Sequence, residues 1–272
     1  MHEFEFLRFV TIGQYLPTGS IIHRLDPRTR LVSGLLLVIV LTLTSHGAGL
    51  CVALAALGIL LAVARIPLGY ALKGLVAPLP FLVFLAALQV LFGPRDAARL
   101  LVVWGPLSIS TTSLLNGALL IARFVALILT LSLISYCLST TELVHGLDAL
   151  LAPFTKIGLP THAFVLMVQV TLRFLPLLAL EAERIAKSQA SRGAEWGTGR
   201  GGVLRRARQA FPLLVPLFLT GLQRAENLAL AMEARGYQGG KGRTSLTTLH
   251  FRPADAVALA VVVGLAVVVM RA

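Results

Sequence analysis

The sequence predicts an all-α, polytopic membrane protein, with about five transmembrane helices plus long cytoplasmic or interfacial helices. Three observations carry this. Hydrophobic residues make up 57% of the 272 residues and charged residues only 13%, whereas a soluble domain holds about a quarter charged residues. The apolar residues gather into runs near the length that crosses ~30 Å of hydrocarbon. The charge is +12, from 24 Lys and Arg against 12 Asp and Glu, and it is unevenly spread. In a membrane protein such an excess marks the cytoplasmic face.

The elements follow in order. Residues 1–30 read as a cytoplasmic N-terminal segment, retained in the mature chain. The first long apolar run begins only at Leu31, after Arg24-Leu25-Asp26-Pro27-Arg28-Thr29-Arg30, too late for a signal peptide. Residues 31–138 read as a four-helix transmembrane region. Leu31 to Ala64 is broken once, at Ser45-His46-Gly47, giving two slightly short helices, with Arg28, Arg30 and Arg65 placed to snorkel. A third run covers Leu75 to Phe92 and a fourth Leu114 to Leu138. Gly93-Pro94 and Gly105-Pro106 mark turns between them, and Leu100 to Trp104 is expected to pack at the membrane surface. Residues 253–272 read as the last membrane helix, with its apolar run from Ala256 to Met270.

Residues 139–252 differ in kind, since they hold 14 of the 24 basic residues. Two apolar stretches lie inside, near Thr161–Leu180 and Phe211–Met232. If the first crossed the membrane, residues 181–210 with their seven basic residues would sit outside, against the positive-inside rule. The region therefore reads as long helices that enter the interface at a slant. The N-terminus is then inside and the C-terminus outside, with Arg95, Arg99, Arg271 and His46 on the outer side.

One internal repeat stands out. Ser191-Arg192-Gly193 recurs 43 residues later as Ala234-Arg235-Gly236, and Glu183 matches Glu226 at the same offset. Each copy follows a proline-interrupted apolar run, containing Pro176 in one and Pro212 and Pro216 in the other. Each is followed by glycines: Gly197, Gly199, Gly201 and Gly202, then Gly239, Gly240 and Gly242. Gly193 and Gly236 sit where a helix ends in a left-handed residue, which puts Arg192 and Arg235 near the negative end of the helix dipole. Small residues recur at i, i+4 upstream: Ala182, Ala186 and Ala190, then Gly221, Ala225 and Ala229. Such rows let helix backbones approach closely, so two long helices are expected to cross there, each presenting an arginine at its tip. An Arg-Gly taken singly is an ordinary helix end. The pair suggests two matching sockets on a two-fold partner, and arginine suits carboxylate sockets through its bidentate fork.

Chemistry of the chain's own is not expected. Gly236-Tyr237-Gln238-Gly239-Gly240-Lys241-Gly242 is one residue short of a phosphate loop and has Gly242 where Ser or Thr should bind magnesium. The six histidines show no ligand spacing, and Cys51 and Cys137 lie inside apolar runs. Glu142, His145 and Asp148 fall at i, i+3 and i+6 on a short helix, the one face that would suit an enzyme. Arg123, with Asn116 upstream, reads as a hydrogen-bonding anchor between helices. The apolar runs exclude a soluble nucleic-acid binder in spite of the basic charge. A self-contained channel or secondary transporter should carry intramembrane carboxylates or broken helices, and the runs carry essentially none.

Three stretches resemble the transmembrane (T) components of energy-coupling factor transporters, of the shared, general-purpose type. The first is Ile12-Gly13-Gln14-Tyr15-Leu16-Pro17 with His23-Arg24-Leu25-Asp26-Pro27-Arg28-Thr29-Arg30. The second is Thr140-Thr141-Glu142, Lys156-Ile157-Gly158-Leu159-Pro160 and Leu172-Arg173-Phe174-Leu175-Pro176. The third is the Arg-Gly pair. The resemblance spans essentially the whole chain. It implies a non-catalytic subunit in the plasma membrane of a prokaryote. That subunit joins two cytoplasmic ABC-type ATPase subunits to a membrane-embedded, substrate-binding S component for vitamin uptake. Coupling helices would dock Ser191-Arg192-Gly193 and Ala234-Arg235-Gly236 in the ATPases, and those partners would bind ATP and magnesium. Family members normally carry Ala first in the motif, so Ser191 departs mildly. A T component dedicated to cobalt or nickel is the alternative within the family. The residues of His23–Arg30 also have a local reading, in which Asp26-Pro27 caps the first membrane helix.

Overall fold

The computed structural model describes residues 15–44, 46–92, 100–104, 107–193, 203–239 and 249–272. They form α1 (Pro27–Leu43), α2 (Gly47–Val63), α3 (Leu68–Val76), α4 (Leu79–Phe92), β1 (Leu100–Trp104), β2 (Leu107–Ser110), α5 (Thr111–Cys137), α6 (Thr140–Leu151), α7 (Thr161–Ser191), α8 (Val203–Ala234) and α9 (Pro253–Arg271). The described residues make two compact units. One holds 15–146 and 249–272, the other 147–239, and the division falls inside α6. Ile12-Gly13-Gln14, the two Gly-Pro turns, Arg95, Arg99, Gly197 to Gly202 and Gly240 to Gly242 lie outside the described residues.

The chain is an all-α membrane protein. Three helices, α5, α7 and α9, are long and apolar enough to cross a bilayer. The third apolar run is not one straight span: α3 and α4 meet at a 66° bend. Pro78 and Pro80 lie at that bend and remove the amides that would continue the ladder. With 17 residues each, α1 and α2 rise about 26 Å, just short of the hydrocarbon. The expectation of an interfacial helix near Thr161–Leu180 meets a 31-residue helix that by length and composition could also span. Among the described residues one hairpin interrupts the helices. The β-branched stretch Leu100–Trp104, expected merely to lie at a surface, pairs antiparallel with Leu107–Ser110.

In the first unit, local chemistry starts each helix. Asp26 is the N-cap of α1 and accepts the Arg28 N–H at 2.9 Å, with Pro27 at the first helical position. Ser110 caps α5. Ser139 and Glu142 form a reciprocal capping box at α6, with Ser139 N–H to Glu142 Oε2 at 3.1 Å and Glu142 N–H to Ser139 Oγ at 3.2 Å. At α9 the Asp255 carboxylate, 1% exposed, accepts the Arg252 N–H and the Asp26 N–H, each at 2.7 Å. One buried carboxylate thus ties the starts of α1 and α9.

The unit is assembled around α1 and α5, which run antiparallel. Arg30 of α1 donates to the Cys137 carbonyl, the last residue of α5. Arg123 of α5 donates to the Thr44 carbonyl, the C-cap of α1, at 2.5 Å. Each helix therefore caps the C-terminus of the other with an arginine. Arg123 is the interhelical anchor the sequence suggested. Leu41, Leu50, Leu57, Ala126 and Val269 close the core between α1, α2, α5 and α9. The closest approach is at Gly49 of α2, where a Cβ would stand 2.3 Å from the Val269 carbonyl oxygen. A second cluster packs Leu61, Ile66 and Ala71 on Leu129 and Tyr136 of α5, and the Tyr136 hydroxyl donates to the Tyr70 carbonyl at 3.0 Å.

Asp255→Asn replaces one accepting oxygen with a donor that faces a backbone N–H. This substitution is expected to cost about 1–3 kcal/mol and to lower the thermal midpoint of the purified chain in detergent by several degrees. An unchanged midpoint would show that the α1–α9 tie carries no stability.

Candidate functional site

The two Arg-Gly tips belong to the second unit and share one geometry. At the end of α7, Arg192 is the cap residue (φ −89°, ψ 7°) and Gly193 is left-handed at φ +85°. The Gly193 N–H reaches back to the Ala190 carbonyl at 3.0 Å. At the end of α8, Gly236 has φ +74°. Its N–H bonds the Glu233 carbonyl at 2.9 Å, and the Tyr237 N–H bonds the Met232 carbonyl at 3.0 Å. That pair of bonds is a Schellman motif, and only glycine takes the left-handed position without strain. Ser191, Arg192, Gly193, Ala234, Arg235 and Gly236 are all exposed. Among the described residues neither Arg192 nor Arg235 has an acidic partner. Each is thus an exposed guanidinium on the outer turn of a long helix.

Behind the tips, α7 and α8 pack antiparallel. Arg224 of α8 reaches Glu181 of α7 at 3.5 Å. Val170, Phe174 and Leu178 of α7 line a groove of about 330 Å³ with Ala225, Ala229 and Met232 of α8. On α7, Ala182 and Ala186 are buried and Ala190 half-buried. Ala225 and Ala229 thus face the Val170–Leu178 stretch, and a Cβ added at Gly221 would meet nothing within 4 Å. Spacing along one helix finds a small-residue face but cannot fix the register against its neighbour. Pro176, Pro212 and Pro216, read as breaks, lie inside continuous helices. The Thr220 hydroxyl back-bonds to the Pro216 carbonyl at 2.9 Å.

The structure adds a pairing that sequence reasoning did not find. In the first unit the Arg30 guanidinium forms an ion pair with Glu142 at 2.9 Å, and the Arg30 side chain is only 4% exposed. Burial pushes the Glu142 carboxyl up, but Arg30 and the Ser139 donors outweigh this and hold it below the usual carboxylate range. Glu142 therefore caps α6 and neutralises the arginine that caps α5. The sequence held half of this signal, in the Ser-x-x-Glu box. The other half lies 112 residues away. The face of Glu142, His145 and Asp148 does not converge on a single ligand, because Asp148 faces His162 at 3.2 Å while Glu142 faces Arg30. In the phosphate-loop lookalike, Gly236 follows a helix and serves its cap.

Residues 18–246 match the family described as cobalt transport protein, CbiQ. The chain is 38% identical over 257 residues to the energy-coupling factor transporter transmembrane protein EcfT of Listeria innocua, covering 93% of this chain and 96% of that one. It is 40% identical over 245 residues to the protein of the same name from Heliobacterium modesticaldum, covering 89% and 90%. It is 36% identical to that of Bacillus subtilis, covering 90% and 91%.

Two outcomes test the geometry. Because the folded Glu142 carboxyl titrates below its unfolded value of about 4.3, its contribution is full above that pH and is lost as pH falls through the folded value. The thermal-midpoint gap between the native chain and Glu142→Gln should be constant near neutral pH and shrink in acid. A gap that ignores pH would mean that the carboxylate charge is not what holds Arg30. Gly236→Ala should strain the α8 tip by about 1–2 kcal/mol. Hydrogen exchange of the Gly236 and Tyr237 amides should then speed up while the global midpoint stays put, and unaltered exchange would contradict the cap.

Proposed function

The chain belongs to the CbiQ family and within it to the transmembrane components of energy-coupling factor transporters, and from that premise we propose that it is the scaffold that carries ATP-driven movement into the membrane. In this reading α7 and α8 are coupling helices. Arg192 and Arg235 each enter a groove of one cytoplasmic ATPase subunit, while the membrane helices hold a separate substrate-binding S component. ATP and magnesium are bound by the ATPases, and this chain is non-catalytic. The N-terminus faces the cytoplasm and the substrate is a vitamin held by the S component. The observation that carries the reading is the repeated tip: two exposed arginines, without an acidic partner among the described residues, each ahead of a left-handed glycine at the end of a helix of more than 30 residues. Two equivalent donors fit a partner with two equivalent acidic sockets.

A second reading is favoured by the family description, which names cobalt. In it the same scaffold serves a dedicated metal-uptake complex. The relatives that cover nine-tenths of the chain carry the energy-coupling factor name instead, and that name states no metal.

The test is co-purification from detergent with tagged ATPase subunits, using the native chain and Arg192→Glu with Arg235→Glu. The native chain should come down with both ATPases. The double variant should insert in the membrane with an unchanged thermal midpoint yet lose the ATPases, since a buried unmatched charge costs about 3–5 kcal/mol. Equal recovery of both would show that the arginines are ordinary helix ends.

A further inference from the structure

The first unit contains a cavity of about 410 Å³ between α1, α5 and α9, in the size range of ligand sites. Its wall is almost wholly apolar, with Leu37, Leu133, Ile134, Val257, Val261 and Val262 among the lining residues. It is open along α9, where Val257 and Val261 are 63% and 62% exposed. Ser33, Thr130 and one charged group, Arg30, interrupt the wall. Although two of the Arg30 nitrogens serve Cys137 and Glu142, its buried Nε has no hydrogen-bond partner among the described residues.

We infer that this cavity is a binding site for an anionic phospholipid, with one acyl chain in the groove and a headgroup or ester oxygen on Arg30 Nε. Depth selects the occupant. From Ala254 to Val262 on α9, and from Leu138, the C-cap of α5, to Thr130 within it, the groove runs eight residues, or about 12 Å. That is close to one leaflet of a ~30 Å hydrocarbon layer. Beyond Val262 the groove shuts: Leu37, Leu41, Leu265, Ala266 and Val269 close around a void of only about 10 Å³. A partner's membrane helix would need a groove continuing through both leaflets, whereas a lipid chain needs one. The entrance lies at the N-terminal ends of α1 and α9, and the exposed charges there are basic. Arg24 sits in the turn between the lining residues Ile22 and Leu25, and Arg252 stands two residues before Ala254; both are exposed. These arginines favour an anionic headgroup over a zwitterionic one.

The test is photolabelling of the full-length chain in vesicles of phosphatidylglycerol or phosphatidylcholine, each with a trace of the same lipid carrying a diazirine midway along one chain. In phosphatidylglycerol, labelled peptides should concentrate in 33–37, 130–138 and 257–262. Labelling spread evenly over other exposed apolar faces, such as Phe81 and Phe84 of α4, would overturn the site. Groove labelling should exceed that in phosphatidylcholine about fivefold and lose that margin in Arg24→Gln with Arg252→Gln; equal labelling in the two lipids would overturn the headgroup assignment. Ala258→Phe, which fills the groove, should abolish labelling of 130–138 and leave that of α4. Unchanged groove labelling in that variant would count against occupancy, and if it does not fold the native map decides. Loss of groove labelling when the chain is taken within its complex would make the cavity a protein interface and reject the lipid.

Discussion

The first unit depends on one exchange between two helices: α1 and α5 each place an arginine on the C-terminal carbonyls of the other. A helix end leaves carbonyls without amide partners, and an arginine in an apolar setting needs acceptors for its donors. Each helix supplies what the other lacks. The arithmetic is consistent at both ends. Arg30 to Thr44 and Arg123 to Cys137 are each fourteen residues, about 21 Å of rise, so two straight antiparallel helices meet both contacts at once. The two contacts then stand about 21 Å apart along the helix pair, inside the span of a ~30 Å hydrocarbon layer, where each guanidinium needs the acceptors the other helix provides.

The rest of the unit is fastened to that pair at its charged end. Asp255 brings the start of α9 to the start of α1, and α2 reaches α9 where Gly49 admits the Val269 carbonyl. Glu142 does two things with one carboxylate: it completes the α6 capping box and supplies the counter-charge to Arg30. Removing it would leave a nearly buried guanidinium with the Cys137 carbonyl alone. The first turn of α6 is therefore fixed to the ends of α1 and α5, and the chain leaves for the arginine-tipped helices through α6.

What was legible in the sequence was what is encoded within a few residues. Asp26-Pro27 announced the start of α1, Ser45-His46-Gly47 the break before α2, and Gly193 and Gly236 the ends of α7 and α8. What was not legible requires partners distant in sequence. Arg30 and Glu142 each looked like a local feature, one a snorkelling cation and the other part of an acidic face. Only the antiparallel packing of α1 against α5 brings them together. The contact of Glu181 with Arg224 marks the register of α7 against α8, and a row of small residues on one helix could not say which residues it would meet. Prolines act differently by context. At Pro78 and Pro80 they accompany a 66° bend near the start of the third apolar run. At Pro176, Pro212 and Pro216 the helix continues through them, held by the remaining ladder.

This division between near and distant encoding bears on how the proposed role can work. A part that passes on movement must keep its own shape while its surroundings shift. Among the described residues the backbone hydrogen bonds that close the α8 tip lie between Ala231 and Tyr237, so the tip geometry survives any displacement of α8 as a whole. The tip of α7 follows the same rule at Ala190 and Gly193. The clamp at Arg30 has the opposite character: its three elements, α1, α5 and α6, must stay in place together for its hydrogen bonds to persist. In the proposed role a tip closed by the hydrogen bonds of its own helix can be gripped without being remade, while the clamp, which needs α1, α5 and α6 together, keeps the first unit whole.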